Sequence, residues 1–208
     1  MPATVFFCEE AGITRRKLRR YVSGAEEKCG AGAYGYHNAS ALLDEGPTRP
    51  DEVSGDLWPH DDPRWPKSCQ ACGRPFAETD AFQLFHVTLY RRGDTGEIAA
   101  WDDMPIGAVR NLPWLAKHDS YRGPDGRVLE CVIPAPERPS GKTTWIIDSK
   151  ASNCARPDDW RHRCWVRHGR PEDGSLHVDK NGDTCAAGAG SIVSPGWHGF
   201  LHHGALTP

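Results

Sequence analysis

Apolar and polar residues alternate through much of the second half of the chain, the period-two spacing that puts every other side chain on one face of a strand. Phe82, Leu84, Val87 and Leu89 among polar positions, then Gly93-Asp94-Thr95-Gly96, then Ile98 and Trp101, predict a hairpin. Further strand-like runs cover 128–133, 143–148, 164–167, 176–179, 184–187, 191–193 and 197–201. Asn181-Gly182, between Val178 and Cys185, is the strongest two-residue turn signal, because the favoured hairpin turn needs positive φ at both central positions. Residues 106–117 leave room for one short helix, interrupted at Pro113. The first half is less regular. Thr4 to Cys8 reads as a short buried strand. The basic run Thr14 to Tyr21 fits either a strand, with Arg15, Lys17 and Arg19 on one face, or a helix pairing Arg15 with Arg19 and Arg16 with Arg20. Either way one face is strongly positive. A Gly- and Tyr-rich stretch follows over 29–39, and then an acidic loop over 43–68 with Pro47, Pro50, Pro59, Pro63 and Pro66 among seven carboxylates. Loops of that length inside a domain are usually functional, metal-tied or disordered.

These elements predict a mainly β protein, α+β at most: a small antiparallel sheet or sandwich with long loops and a zinc-knuckle segment. No linker cuts the chain convincingly. If it divides, residues 1–80 form a loop-rich knuckle region and residues 81–208 a β-rich one, with a single continuous domain as the alternative. The 208 residues suffice to bury a core without obligatory disulfides, and 8 Trp, 6 Phe and 5 Tyr are too many aromatics for a disordered chain. A net charge of −3 excludes a uniformly basic nucleic-acid coat and leaves only local patches. No apolar run reaches the roughly 18–20 residues that span a bilayer, and Glu9 and Glu10 come too early for a secretory leader. The expectation is a protein made in a cytoplasm, without membrane contact.

In a reducing compartment eight cysteines read as thiols or metal ligands rather than disulfides. Cys69-Gln-Ala-Cys72-Gly73 is the most specific signal. Two thiolates two residues apart, with a glycine able to take the left-handed turn just after the second, form half of a zinc knuckle. A closed site needs two more donors, drawn from Cys8, Cys29, His37 and His60. Cys8 and His37 are favoured because a strand end and a Gly-rich turn can approach from outside the loop, with Cys29 close behind. The expected ligand set is therefore Cys69, Cys72, Cys8 and His37, around a structural zinc. The bland reading of the pair is two buried small hydrophobes. Cys154, Cys164 and Cys185, with His162, His168, His198, His202 and His203, form a second group whose spacings match no ligand template. Ordinary packing is the leading reading there, with a second metal site or a reactive thiol as the alternatives.

Other chemistry is thinly supported. Gly188-Ala-Gly190-Ser lacks the lysine and helix of a phosphate loop, His-Glu-x-x-His and Gly-x-Ser-x-Gly are absent, and the neighbouring carboxylates of Asp102-Asp103 and Asp158-Asp159 point apart on a regular element. No residue is assigned a catalytic role. On a strand His198, Phe200 and His202 share a face, which suits a terminal hairpin at least as well as a ligand or base. The basic run could grip phosphates through Arg15, Arg16, Lys17, Arg19 and Arg20, or pair with the chain's own acidic loop. Most of the tryptophans suit a core, though Trp and Arg also favour protein interfaces.

The strings Val5-Phe-Phe-Cys-Glu-Glu, Arg19-Arg-Tyr-Val-Ser, Tyr36-His-Asn-Ala, Asp62-Pro-Arg-Trp-Pro, Trp145-Ile-Ile-Asp-Ser-Lys-Ala-Ser-Asn-Cys, Cys164-Trp-Val-Arg-His-Gly, Val178-Asp-Lys-Asn-Gly and Cys185-Ala-Ala-Gly-Ala-Gly-Ser-Ile, with His198-Gly-Phe-Leu, resemble an uncharacterised family of proteins from actinobacterial phages. Eighteen Arg against seven Lys, the codon imprint of a GC-rich genome, agrees with that origin. The resemblance implies an origin and no mechanism. Three functions follow as expectations. The first is a non-catalytic, zinc-stapled minor virion component, of head or tail, contacting other phage structural proteins. The second is a metal- or thiol-dependent enzyme acting on host or phage macromolecules, built on Cys154, Cys164, Cys185 and His198. The third is a nucleic-acid or host-factor binder working inside the host cytoplasm through the basic run.

Overall fold

The structure, a computed structural model, describes residues 2–22, 28–30, 36–43, 61–118, 121–150, 154–159, 161–179 and 191–208. The Asn181-Gly182 turn, the run 184–187, Cys185, Gly188 to Gly190, His60, Trp58, Trp160 and most of the acidic loop lie outside these residues. The described chain is predominantly β, in several mostly antiparallel sheets, and its helical structure is limited to short 3-10 turns such as Trp101–Asp103 and Pro171–Asp173. No helix among the described residues is long and apolar enough to cross a membrane.

The chain divides into two compact units, Met1–Glu9 with Tyr90–Pro208, and Glu10–Leu89. Two long strands, β2 (Phe6–Val22) and β4 (Ala81–Arg92), give residues to both. The discontinuous unit is built on β1 (Ala3–Thr4), the start of β2, the end of β4, and the strands from β5 (Ile98–Ala100) onward. Its larger sheet runs β5-β4-β2-β6-β7-β8, with β6 Ala108–Asn111, β7 Leu129–Pro134 and β8 Lys142–Ile146. A second sheet runs β1-β13-β12-β11, from β11 Ile192–Ser194, β12 Trp197–His202 and β13 Ala205–Thr207. A ribbon pairs β9 (Val166–His168) with β10 (His177–Asp179). The core joins these layers. Val109, Leu129, Cys131, Ile133 and Ile147 pack with Cys164, Leu176, Val178, Ile192, Leu201 and Leu206, all buried, and along β7 the members Leu129, Cys131 and Ile133 alternate as the period-two pattern requires.

One group of charged side chains inside this unit is paired rather than excluded. Arg167 donates to Asp148 at 2.9 Å and to Asp125 at 2.6 Å, and Arg127 to Asp125 at 2.7 Å. Burial raises the Asp148 carboxyl. Burial also opposes ionisation of Asp125, but the two guanidinium groups outweigh it and hold Asp125 well below the usual carboxylate range. Gly123 sits against this network: a Cβ there would lie 2.5 Å from Asp148 Oδ1 and still closer to Arg167 Nη2.

One expectation is overturned in this unit. Residues 106–117 do not form a helix. Gly107 takes φ +97°, outside the helical region, and its missing Cβ lets the backbone pass against the Thr4 carbonyl. Ala108 and Val109 then pair in parallel with Phe6 and Phe7, and Pro113 begins a run of turns.

In the continuous unit β2 pairs with β3 (His37–Leu42) in antiparallel register, Lys17 opposite Leu42 and Val22 opposite His37. The basic run is therefore a strand. Thr14, Arg16, Leu18 and Arg20 face inward, and Arg15, Lys17 and Arg19 share the other face. Leu18, Leu43 and Trp65 form a small core, with Phe82 edge-on to Trp65 at 5.7 Å.

Candidate metal centre

The centre lies within the continuous unit and is assembled from two short chain segments. Ser68 bridges to Pro75, Cys69 N donates to Arg74 O at 2.8 Å, and Gly73 N donates to Cys69 O at 2.9 Å, closing a tight turn around Cys69 and Cys72. Gly73 has φ +77°, the left-handed conformation that a β-carbon would strain, which is why glycine follows the second cysteine. The other segment enters β3. Lys28 bridges to Tyr36, so that Cys29 and His37 each follow a bridged residue, and Gln70 N donates to Asn38 O at 3.0 Å, tying the knuckle to β3.

The donor atoms of Cys29, His37, Cys69 and Cys72 all lie within 4.8 Å of one another. Cys29 Sγ is 4.0 Å from Cys69 Sγ, and His37 Nδ1 is 3.2 Å from Cys72 Sγ. A tetrahedral ion with metal–sulfur bonds of about 2.3 Å and metal–nitrogen bonds of about 2.0 Å places two sulfurs about 3.8 Å apart and a sulfur and nitrogen about 3.5 Å apart. These two separations thus fall within a few tenths of an ångström of tetrahedral values, and the four donors could hold a metal ion. Three of the four residues are buried and Cys72 is exposed.

The electrostatics suit thiolate. Burial opposes ionisation of Cys69, but the amides of Ala71, Cys72 and Asn38 and the His37 imidazole outweigh it, bringing the thiol from 9.0 to about 6. Cys72 receives an amide hydrogen bond from Arg74 that lowers it, yet burial and the neighbouring sulfurs of Cys69 and Cys29 leave it raised. A cation among the four would relieve that repulsion between sulfurs.

Arg20 braces the turn from β2. It donates to Pro66 O at 3.0 Å and to Ala77 O, and its guanidinium lies over the Trp65 ring at 5.5 Å and the Phe76 ring at 5.2 Å. Burial lowers its pKa, with Asp80 and Glu78 opposing. Part of the basic run is therefore internal bracing. On the other face Arg15 donates to Leu43 O, and Arg19 to Gln83 Oε1.

The structure brings together Cys69, Cys72 and His37 of the expected ligand set, and Cys29 rather than Cys8 completes the group. Cys8 packs in the discontinuous unit with Phe6, Tyr90, Trp101 and Met104, its sulfur 3.9 Å from Met104 Sδ. Burial raises its thiol to about 11, leaving a protonated small hydrophobe there. The signal for Cys29 was its position eight residues before His37: two donors joined by a short loop lose little closure entropy on meeting at one ion.

In the discontinuous unit, Cys154, His162 and Cys164 also converge, while Cys185, grouped with them by sequence, lies outside the described residues. His198 and His202 are exposed on β12, and the His177 ring lies 4.5 Å from that of His202, 4.9 Å from His203 and 6.2 Å from His168. No protein-family model, no curated protein and no solved structure matches the chain, so the geometry of these side chains is what speaks to its function.

Proposed function

We propose that the protein is a non-catalytic phage protein whose knuckle is stapled by a structural zinc ion, and that it serves as a minor head or tail component of the virion by contacting other structural proteins. The observation that carries this reading is the convergence of four donors, Cys29, His37, Cys69 and Cys72. Three sulfurs and one imidazole nitrogen suit zinc far better than the oxygen-seeking ions. Four protein ligands also fill the tetrahedron, leaving no vertex for a reacting water, which is the arrangement of a structural site. The phage origin rests on the sequence resemblance. Quantitative mass spectrometry of purified particles tests the assignment. The reading predicts the chain at a fixed copy number per particle after gradient purification. Its presence in the infected-cell lysate and absence from particles would overturn it.

A further inference from the structure

We infer that the discontinuous unit carries a second site for a thiophilic divalent cation, zinc in the first place, held by Cys154, His162 and Cys164. The three donor atoms lie within 4.8 Å of one another, and His162 Nε2 is 3.7 Å from Cys164 Sγ, against about 3.5 Å for a sulfur and a nitrogen on one tetrahedral zinc. Three protein donors are as many as catalytic zinc sites use. Cys164 and His162 are buried and Cys154 half-buried, at the margin of the main core.

A second, independent feature matches the knuckle. The Arg156 amide donates to Cys154 Sγ at 3.3 Å, two residues after the cysteine. The Ala71 amide bonds Cys69, and the Arg74 amide bonds Cys72, at that same offset. Amide donation of this kind stabilises negative charge on sulfur and orients its lone pairs, which serves a metal-bound thiolate and adds nothing to an apolar packing role.

Hydrogen bonds within the protein tie down the described residues on either side of the donors. Lys150 Nζ donates to Pro157 O at 2.7 Å, Arg161 N to Asp159 Oδ1 at 3.0 Å, and His162 N to Asp159 O at 3.0 Å. The three donors are thus pre-positioned, which lowers the ordering cost of binding.

Elemental analysis of the full chain, purified reduced and without chelator, is the test. Two zinc ions per chain are expected, falling to one in a Cys154→Ser, Cys164→Ser variant that retains the knuckle. One zinc in the wild-type chain, with that zinc unaffected by the double substitution, would overturn the site. So would a Cys154–Cys164 disulfide in the reduced preparation. Anomalous scattering at the zinc edge from wild-type crystals reads the same question without relying on a variant that folds. A peak among Cys154, His162 and Cys164 supports the site, and a peak at the knuckle alone refutes it. Because the two sites are scored separately, loss of the knuckle zinc leaves this inference standing, and the converse also holds.

Discussion

Replacing Arg20 with methionine should release the loop that carries Cys69 and Cys72. Methionine keeps most of the side chain's length and apolar stem but removes its donors. Arg20 is 3% exposed and donates to Pro66 O and Ala77 O, carbonyls that flank the knuckle on both sides. A hydrogen bond from a charged donor contributes about 1.5–3 kcal/mol, and both carbonyls belong to residues that are only partly covered or exposed, so water can replace part of what is lost. The rings of Trp65 and Phe76 add about 0.5–2 kcal/mol of cation–π attraction, which methionine replaces in part with sulfur–aromatic contact. The hydrogen bonds dominate, and the net loss should be about 3 kcal/mol. That is a large fraction of the stability of an ordinary domain. The assay is urea unfolding of the metal-loaded chain, paired with zinc competition against a chromophoric chelator. If the turn must be braced before it can bind, the same energy weakens zinc binding by up to about 100-fold, since each 1.4 kcal/mol is a factor of ten. A loss below about 1 kcal/mol, with zinc affinity within twofold of wild type, would refute the bracing role.

Other changes test other parts of the account. Gly73→Ala meets open space but must hold a left-handed backbone, so it should cost about 1–2 kcal/mol and speed zinc release, read by chelator-driven stopped flow. Gly123→Ala drives a methyl into the Arg167–Asp148 ion pair and should cost about 3 kcal/mol or more by thermal unfolding of the zinc-loaded chain. Asp125 has a folded-state pKa held below its unfolded value, so the stability it contributes is complete above about pH 4 and is lost as pH falls through that range. The readout is the stability difference between wild type and Asp125→Asn. It should hold from pH 6 to about pH 4 and shrink as pH falls from there to 2, opposite in direction to the effect of Asp148, whose pKa is raised.

The β character of the chain was legible because its strands obey alternation and its turns carry glycine. The hairpin around 93–96 forms as expected, with Arg92 N donating to Glu97 O at 2.9 Å across the turn. The runs at 128–133, 143–148, 191–193 and 197–201 all fall on strands, with ends shifted by one or two residues. Failures came where tertiary contacts outweigh local pattern. Residues 108–111 leave room for a helix by local pattern because their strand is set by its partners, Phe6 and Phe7 in parallel about a hundred residues away and Leu129 to Cys131 in antiparallel register. β13 was missed because His203 enters the left-handed region at φ 45°, making with Gly204 a turn that the histidine sequence does not announce. β3 was hidden in a glycine-rich stretch whose strand pairs with the basic run.

Three of the four residues at the site, Cys69, Cys72 and His37, are legible in the sequence, and the fourth is not, for a related reason. Cys69 and Cys72 carry their own turn, so spacing alone marks them, whereas their partners depend on how β2 and β3 pair. The strand end at Cys8 looks free in the sequence to reach the loop, but its sulfur is committed to the packing around Met104. The basic run was open between two elements because arginine carries no burial signal. Only the structure places Arg16 and Arg20 inward.

The central claim is that one ion joins Cys29 and His37 to Cys69 and Cys72. Zinc content per chain, measured side by side for Cys29→Ser and Cys8→Ala, tests it most directly. The account predicts that the Cys29 variant loses one equivalent of zinc while the Cys8 variant keeps the wild-type amount. Full zinc in the Cys29 variant, or its loss from the Cys8 variant, would contradict it.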